Sequence, residues 1–256
     1  MTPAAVTEHV VLITGASGGV GEGIAEACGQ AGWTVWIAAR RRAQGDEVAA
    51  KVDAAGGQGR FVACDAADEA SVRAAVAAVV ERDGRLDGVV HNATSGLSPK
   101  PVTIPDLPLA ELRDQVAVSL RGSWLLAMAA KPHLLASHGS ILLLTSEAGF
   151  EGKAKLAPYA AVKAAQRGFA RGLAREWGPE GIRVNCIAPL ASTPALEKAL
   201  VLDPAMGPRL FGRNPLGRMG DPTDDVGPVA RFLLSPEARY VTGNTVMVDG
   251  GSCPIT

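Results

Sequence analysis

An α/β fold, a doubly wound parallel sheet with helices on both faces, is predicted for this chain by two observations. Near-continuous apolar runs of strand length alternate with Ala-rich stretches of helical length. No Ser/Gly-rich linker, low-complexity tract or charge block interrupts the alternation, so the 256 residues read as one domain spanning 1–256. In such a fold ligands bind beyond the carboxyl ends of the strands.

The elements follow in order. Val10 to Thr14 reads as the first strand and Gly19 to Ala31 as the first helix. Strand Trp33 to Ala38 precedes a helix including Glu47 to Ala55; strand Gly59 to Ala63 precedes helix Glu69 to Arg82. Leu86 to His91 is a fourth strand, followed by one long helix from Leu109 to Leu135. Ser140 to Thr145 is a fifth, followed by helix Tyr159 to Trp177, whose Ala, Arg, Gln and Leu favour that state. Ile182 to Ile187 is a sixth strand, and a Pro-rich stretch from Pro189 to Pro222 leads to a helix at Val226 to Leu234. Val246 to Val248 closes the series.

Composition narrows the partners. Hydrophobic residues make up 47% of the chain, enough for a large core. The net charge of -1, with no basic stripe or aromatic platform, gives no reason to expect nucleic acid. No apolar stretch reaches membrane-spanning length and no basic region precedes one, so a soluble, cytoplasmic protein is expected. Cys28, Cys64, Cys186 and Cys253 show no Cys-x-x-Cys spacing and no metal-ligand pattern with the histidines, so no metal is expected.

Polar chemistry gathers at the strand ends. The first strand-to-helix turn, Thr14-Gly15-Ala16-Ser17-Gly18-Gly19-Val20-Gly21, lets the backbone approach a pyrophosphate at the helix N-terminus. The second strand ends in Ala39-Arg40-Arg41-Arg42 rather than the acid that would bind ribose hydroxyls. The planar guanidinium of Arg40 suits a 2′-phosphate, with a solvated, merely basic helix start as the alternative. Asp65 ends the third strand, and His91-Asn92-Ala93-Thr94 ends the fourth. In the helix Tyr159 to Trp177, Tyr159 and Lys163 stand four apart, on one helical face. A cation one turn away stabilises a phenolate and lowers the tyrosine pKa toward useful proton transfer.

Taken together, these motifs resemble the short-chain dehydrogenase/reductase family of the ~250-residue kind, over nearly the whole chain, Val10 to Gly251. That resemblance implies a Rossmann-type fold and an NADP(H) cofactor bound by Thr14, Gly15, Ser17, Gly18, Gly19, Val20 and Gly21. It adds Arg40 and Arg41 near the phosphate, Asp65 with Ala66 near the adenine, Asn92 with Ala93, and Pro189, Leu190 and Thr193 by the nicotinamide. Ser146, thirteen residues before Tyr159, matches the catalytic serine, and Tyr159 and Lys163 match the acid-base pair, Lys163 also binding the nicotinamide ribose. Asn185-Cys186-Ile187-Ala188-Pro189 and Val248-Asp249-Gly250-Gly251 match later segments.

Three departures stand out. His91 and Thr94 flank Asn92 where the family has Asn and Gly; Leu190 replaces a Gly, and Thr193 falls one residue early. Ser119 stands where the family has a fourth catalytic residue, an asparagine holding a relay water; its hydroxyl either takes that part or is passive. The implied activity is reversible reduction of a ketone or 3-oxoacyl carbonyl to a secondary alcohol. An NAD-dependent alcohol dehydrogenase and a non-catalytic dinucleotide sensor are the rival readings. The substrate walls fall at Thr94 to Leu107, Glu147 to Leu156 and a lid at 190–216 bearing Leu196, Leu200, Leu202, Met206, Leu210 and Phe211. The resemblance also implies a homotetramer or homodimer built on the long helix and the Tyr159 helix.

Overall fold

The computed structural model describes residues 9–98, 100–202 and 206–253; residues 203–205, at the centre of the expected lid, lie outside the described residues. Strands β1 (Val10–Thr14), β2 (Thr34–Ala39), β3 (Gln58–Ala63), β4 (Gly88–His91), β5 (Ser140–Leu144), β6 (Arg183–Pro189) and β7 (Thr245–Val248) form one sheet. Its order is β3-β2-β1-β4-β5-β6-β7, and every pairing is parallel. Helices α1 (Gly19–Gly29), α2 (Arg42–Ala54), α3 (Glu69–Asp83), α4 (Leu109–Gln115) and α5 (Gly122–Ser137) alternate with the first strands. They are followed by α6 (Ala148–Glu151), α7 (Ala157–Trp177), α8 (Pro194–Leu202), α9 (Met206–Gly212) and α10 (Gly227–Leu234).

Strands β1, β2, β4 and β5 are buried along their whole length because both faces are covered. Successive side chains alternate: Leu12, Ile141 and Leu143 join the layer with α3, α5 and α7, whereas Val11, Ile13, Leu142 and Leu144 join that with α1, α2 and α10. Burial of each such side chain contributes about 1.5–3 kcal/mol. Reversal of strand order at β1 sends the chain to opposite sides, so the carboxyl ends of β1 and β4 border an open crevice.

The expected long helix from Leu109 to Leu135 is not continuous. Between α4 and α5 the turn widens into a π-helical segment, Val116–Arg121. Side chains from elsewhere satisfy two carbonyls of this segment. The His91 ring meets Val118 O at 3.1 Å, and Ser119 O accepts from Ser123 Oγ at 2.6 Å and Gln166 Nε2 at 3.1 Å. Such a bulge is where a helix gives up its ladder for outside partners.

The expected lid stretch holds α8 and α9 and is pinned at its base. Ala191 bridges Gly220, Ser192 N donates to Gly220 O at 2.8 Å, and Gly220 N donates to Leu190 O at 3.2 Å. Among the described residues no helix is long and apolar enough to cross a membrane.

Candidate active site

The glycine turn meets the end of β4 closely. Gly15 has φ +66°, and a Cβ there would lie 2.7 Å from Ala93 Cα, so only glycine fits. Asn92 Nδ2 donates to Gly15 O at 2.8 Å, and Ala93 N donates to Thr14 Oγ1 at 3.3 Å. A Cβ on Gly21 would stand 2.5 Å from Asn92 Nδ2. The resulting cradle is bare backbone leading into the first turn of the eleven-residue α1, which suits a dinucleotide pyrophosphate. Ser17, Gly18, Gly19 and Val20 are half-buried along it.

Farther out, Arg40 and Arg41 are both exposed. Arg41, rather than Arg40, leans over the turn, with Nη2 3.4 Å from Ser17 Oγ. The Asp65 carboxylate accepts from Ala67 N at 3.0 Å, shaping its own loop, and Ala66 is buried behind it. From the opposite wall Thr193 reaches the turn: a Cβ on Gly19 would lie 3.6 Å from its Cγ2. Pro189 is aligned with Val248, and Leu190 N donates to Val248 O at 2.9 Å, fixing both at the edge of β6. These groups fit a nicotinamide dinucleotide cofactor.

Beyond β5, Ser146 Oγ donates to Glu147 Oε2 at 2.8 Å and accepts from Ala148 N at 3.2 Å. Thr145 Oγ1 donates to Lys163 O at 2.9 Å, docking α7 on the strand end. Tyr159 and Lys163 share a face of α7, the ammonium 5.8 Å from the phenol ring centroid. Lys163 is buried, and its Nζ donates to Leu144 O at 2.7 Å and Gln166 Oε1 at 2.9 Å. The Gln166 amide in turn donates to Ser119 O and to Ser123 Oγ, the latter at 2.8 Å. Ser119 is thus joined to Lys163 through its carbonyl; its hydroxyl faces Thr94 Oγ1 at 3.4 Å.

Burial sets the proton affinities. It pushes the Tyr159 phenol up to about 12, against the pull of the neighbouring Ser146 hydroxyl, and the Glu147 carboxylate pushes the same way. The expectation that Lys163 lowers the phenol's pKa is therefore not met: burial raises it, and the ammonium is turned to Leu144 and Gln166. Lys163 itself is drawn down to about 8 by burial. His91, wholly enclosed between Thr14 Oγ1 at 3.2 Å and Val118 O, falls to about 3, chiefly by burial and then by the Lys163 charge.

The enoyl-(acyl carrier protein) reductase family model matches residues 15–253. The chain belongs to the short-chain dehydrogenase/reductase family. Among short-chain dehydrogenase/reductase relatives, it is 36% identical over 249 residues to L-fucose dehydrogenase of Oryctolagus cuniculus, covering 95% of this chain and 84% of that one. It is 34% identical over 250 residues to L-rhamnose 1-dehydrogenase (NAD(P)(+)) of Azotobacter vinelandii, covering 95% and 96%. A gluconate 5-dehydrogenase from Burkholderia cenocepacia, solved in complex with NADP and tartrate, superposes with TM-score 0.89 at 29% identity over 97% of this chain and 96% of that one. The chain is an oxidoreductase of this family with a nicotinamide dinucleotide cofactor.

Two residues escaped the sequence reading. Gln166 lies on the buried stripe of α7 with Lys163, Ala170, Leu173 and Trp177, and a polar residue on an otherwise apolar stripe is its signal. Glu147, which the sequence assigns only to a substrate wall, bonds the serine directly through its carboxylate.

Proposed function

We propose that this chain is an NADP(H)-dependent reductase that converts a ketone or 3-oxoacyl carbonyl reversibly to a secondary alcohol. The observation that carries the reading is the gathering of Ser146, Tyr159 and Lys163 where β5 meets α7. A hydrogen-bonded chain through Gln166 and Ser119 links Lys163 to Thr94, next to the Ala93 that closes on Gly15. Arg41 over Ser17, with Arg40 beside it and no acid at the end of β2, favours a 2′-phosphate. The relative whose name carries NAD(P)(+) and the neighbour solved with NADP fit that choice. The rival use of NAD rests on the exposure of both arginines.

When bound, the nicotinamide supplies or takes up the hydride. Ser146 turns its hydroxyl to the reacting oxygen and holds it. Tyr159, protonated at neutral pH because burial holds its phenol high, donates a proton to that oxygen. Lys163, held by Leu144 O and Gln166, keeps one N–H free for the nicotinamide ribose. The stretch 190–216 acts as the substrate lid, hinged where Ala191 meets Gly220. Exposed Trp124, Met128 and Leu135 on α5 support assembly as a homotetramer or homodimer, and four free, buried cysteines fit the cytoplasm.

The test is spectrophotometric: NADPH and NADH oxidation over a panel of ketones, ketoesters and quinones. NADPH-linked turnover is expected; comparable kcat/KM with NADH removes the cofactor assignment, and silence across the panel removes the reductase reading.

A further inference from the structure

We infer that Glu147 and Ser146 together form a subsite for a hydroxyl group next to the reacting carbon, so that the substrate is an α-hydroxy ketone on reduction and a vicinal diol on oxidation. The inference rests on the proposed role of Ser146 as the group that holds the reacting oxygen.

Glu147 follows Ser146 directly, and its side chain is only 14% exposed. One carboxylate oxygen is held by the Lys153 ammonium, which keeps the group from swinging out to solvent. The other, Oε2, accepts from Ser146 Oγ at 2.8 Å. A hydroxyl has one hydrogen, so while this bond stands Ser146 has none for a substrate, and its oxygen is already accepting from Ala148 N. A plain ketone that takes this hydrogen leaves Oε2 without its donor in a half-buried site, and has only acceptors to offer in return.

A hydroxyl on the adjacent carbon resolves the conflict. It donates to Glu147 Oε2, and Ser146 turns its hydrogen to the carbonyl oxygen. The exchange leaves Oε2 with a donor and gives the carbonyl oxygen one as well. The geometry agrees: the two oxygens of a gauche vicinal pair stand about a hydrogen-bond length apart, as do Ser146 Oγ and Glu147 Oε2.

The experiment compares 2-hydroxycyclohexanone with cyclohexanone, using NADPH and the full-length wild-type, Glu147→Ala and Glu147→Gln proteins. NADPH fluorescence titration and thermal melting check that each variant is folded and binds cofactor. Wild type is expected to favour the hydroxy ketone by about 10- to 100-fold in kcat/KM. In Glu147→Ala that ratio collapses toward unity, and Glu147→Gln, which keeps an acceptor, retains part of it. Equal losses on both ketones in both variants overturn the proposal, leaving Glu147 as a loop anchor. So does wild-type turnover of both ketones without preference, in which case the reductase reading survives. Absence of turnover with every carbonyl and alcohol tried takes down the reductase reading itself.

Discussion

Lys163 Nζ donates at 2.9 Å to the side-chain oxygen of Gln166, one helical turn farther along α7. Both amide hydrogens of Gln166 are taken, by Ser119 O and Ser123 Oγ, so the amide can face the ammonium only with its oxygen. Gln166→Leu removes that acceptor and weakens the charged form of a buried group already drawn down to about 8. The inflection assigned to Lys163 in the kcat/KM pH profile should move to lower pH, with kcat/KM at neutral pH falling about tenfold or more. Gln166→Glu should move it upward. Ser119→Ala should leave the profile in place, because the Ser119 hydroxyl faces Thr94 and only its carbonyl joins the network.

Tyr159→Phe removes the proton donor and leaves the ring that fills the site. Turnover should fall on the order of 10²- to 10⁴-fold while the NADPH dissociation constant holds. Rapid-quench or steady-state rates beside a fluorescence titration would check both halves.

On the proposed contact of the Arg41 guanidinium with a 2′-phosphate, Arg41→Ala should weaken NADPH by about tenfold or more and spare NADH. Arg40→Asp adds repulsion and should invert the preference. The ratio of kcat/KM for the two cofactors is the measurement.

Acid should destabilise this protein through His91. The folded ring titrates at about 3 against an ordinary 6.5, so between these values the unfolded chain binds a proton that the folded chain refuses. Stability contributed by the neutral ring is therefore complete above 6.5 and is lost as pH falls toward 3, by at most about 1.4 kcal/mol per pH unit. Urea midpoints measured between about pH 7 and about pH 4 should fall steeply, and less steeply in His91→Gln. Gly122→Ala should destabilise by about 1–3 kcal/mol at all pH values, because its Cβ would lie 2.9 Å from His91 Cε1.

The frame of the protein was open to reading because a two-sided parallel sheet writes itself as apolar runs; β1 was read to the residue and the other strands to within a few. The glycine turn and Tyr159-x-x-x-Lys163 were legible since their chemistry depends on local spacing. The π segment was hidden: Val116-Ala117-Val118-Ser119 has ordinary helical content, and the carbonyls that release it are bonded by His91, Ser123 and Gln166, two of them distant in sequence. The Ser146 environment was hidden for a related reason, since a serine's spacing from a tyrosine says nothing of where its hydrogen points. Arg40 and Arg41 could be told apart only by the side chain that bends over Ser17.

The position of β1 between β2 and β4 governs how the chain is made. Its neighbour β4 pairs Val11 with Gly88 and Thr14 with His91, 77 residues farther along the chain, so during synthesis all of these must leave the ribosome before that edge is covered. Until then the apolar ladder Val11-Leu12-Ile13 is an open template for another nascent chain. Refolding yield should therefore drop as protein concentration rises, and a holdase that shields that edge should restore it.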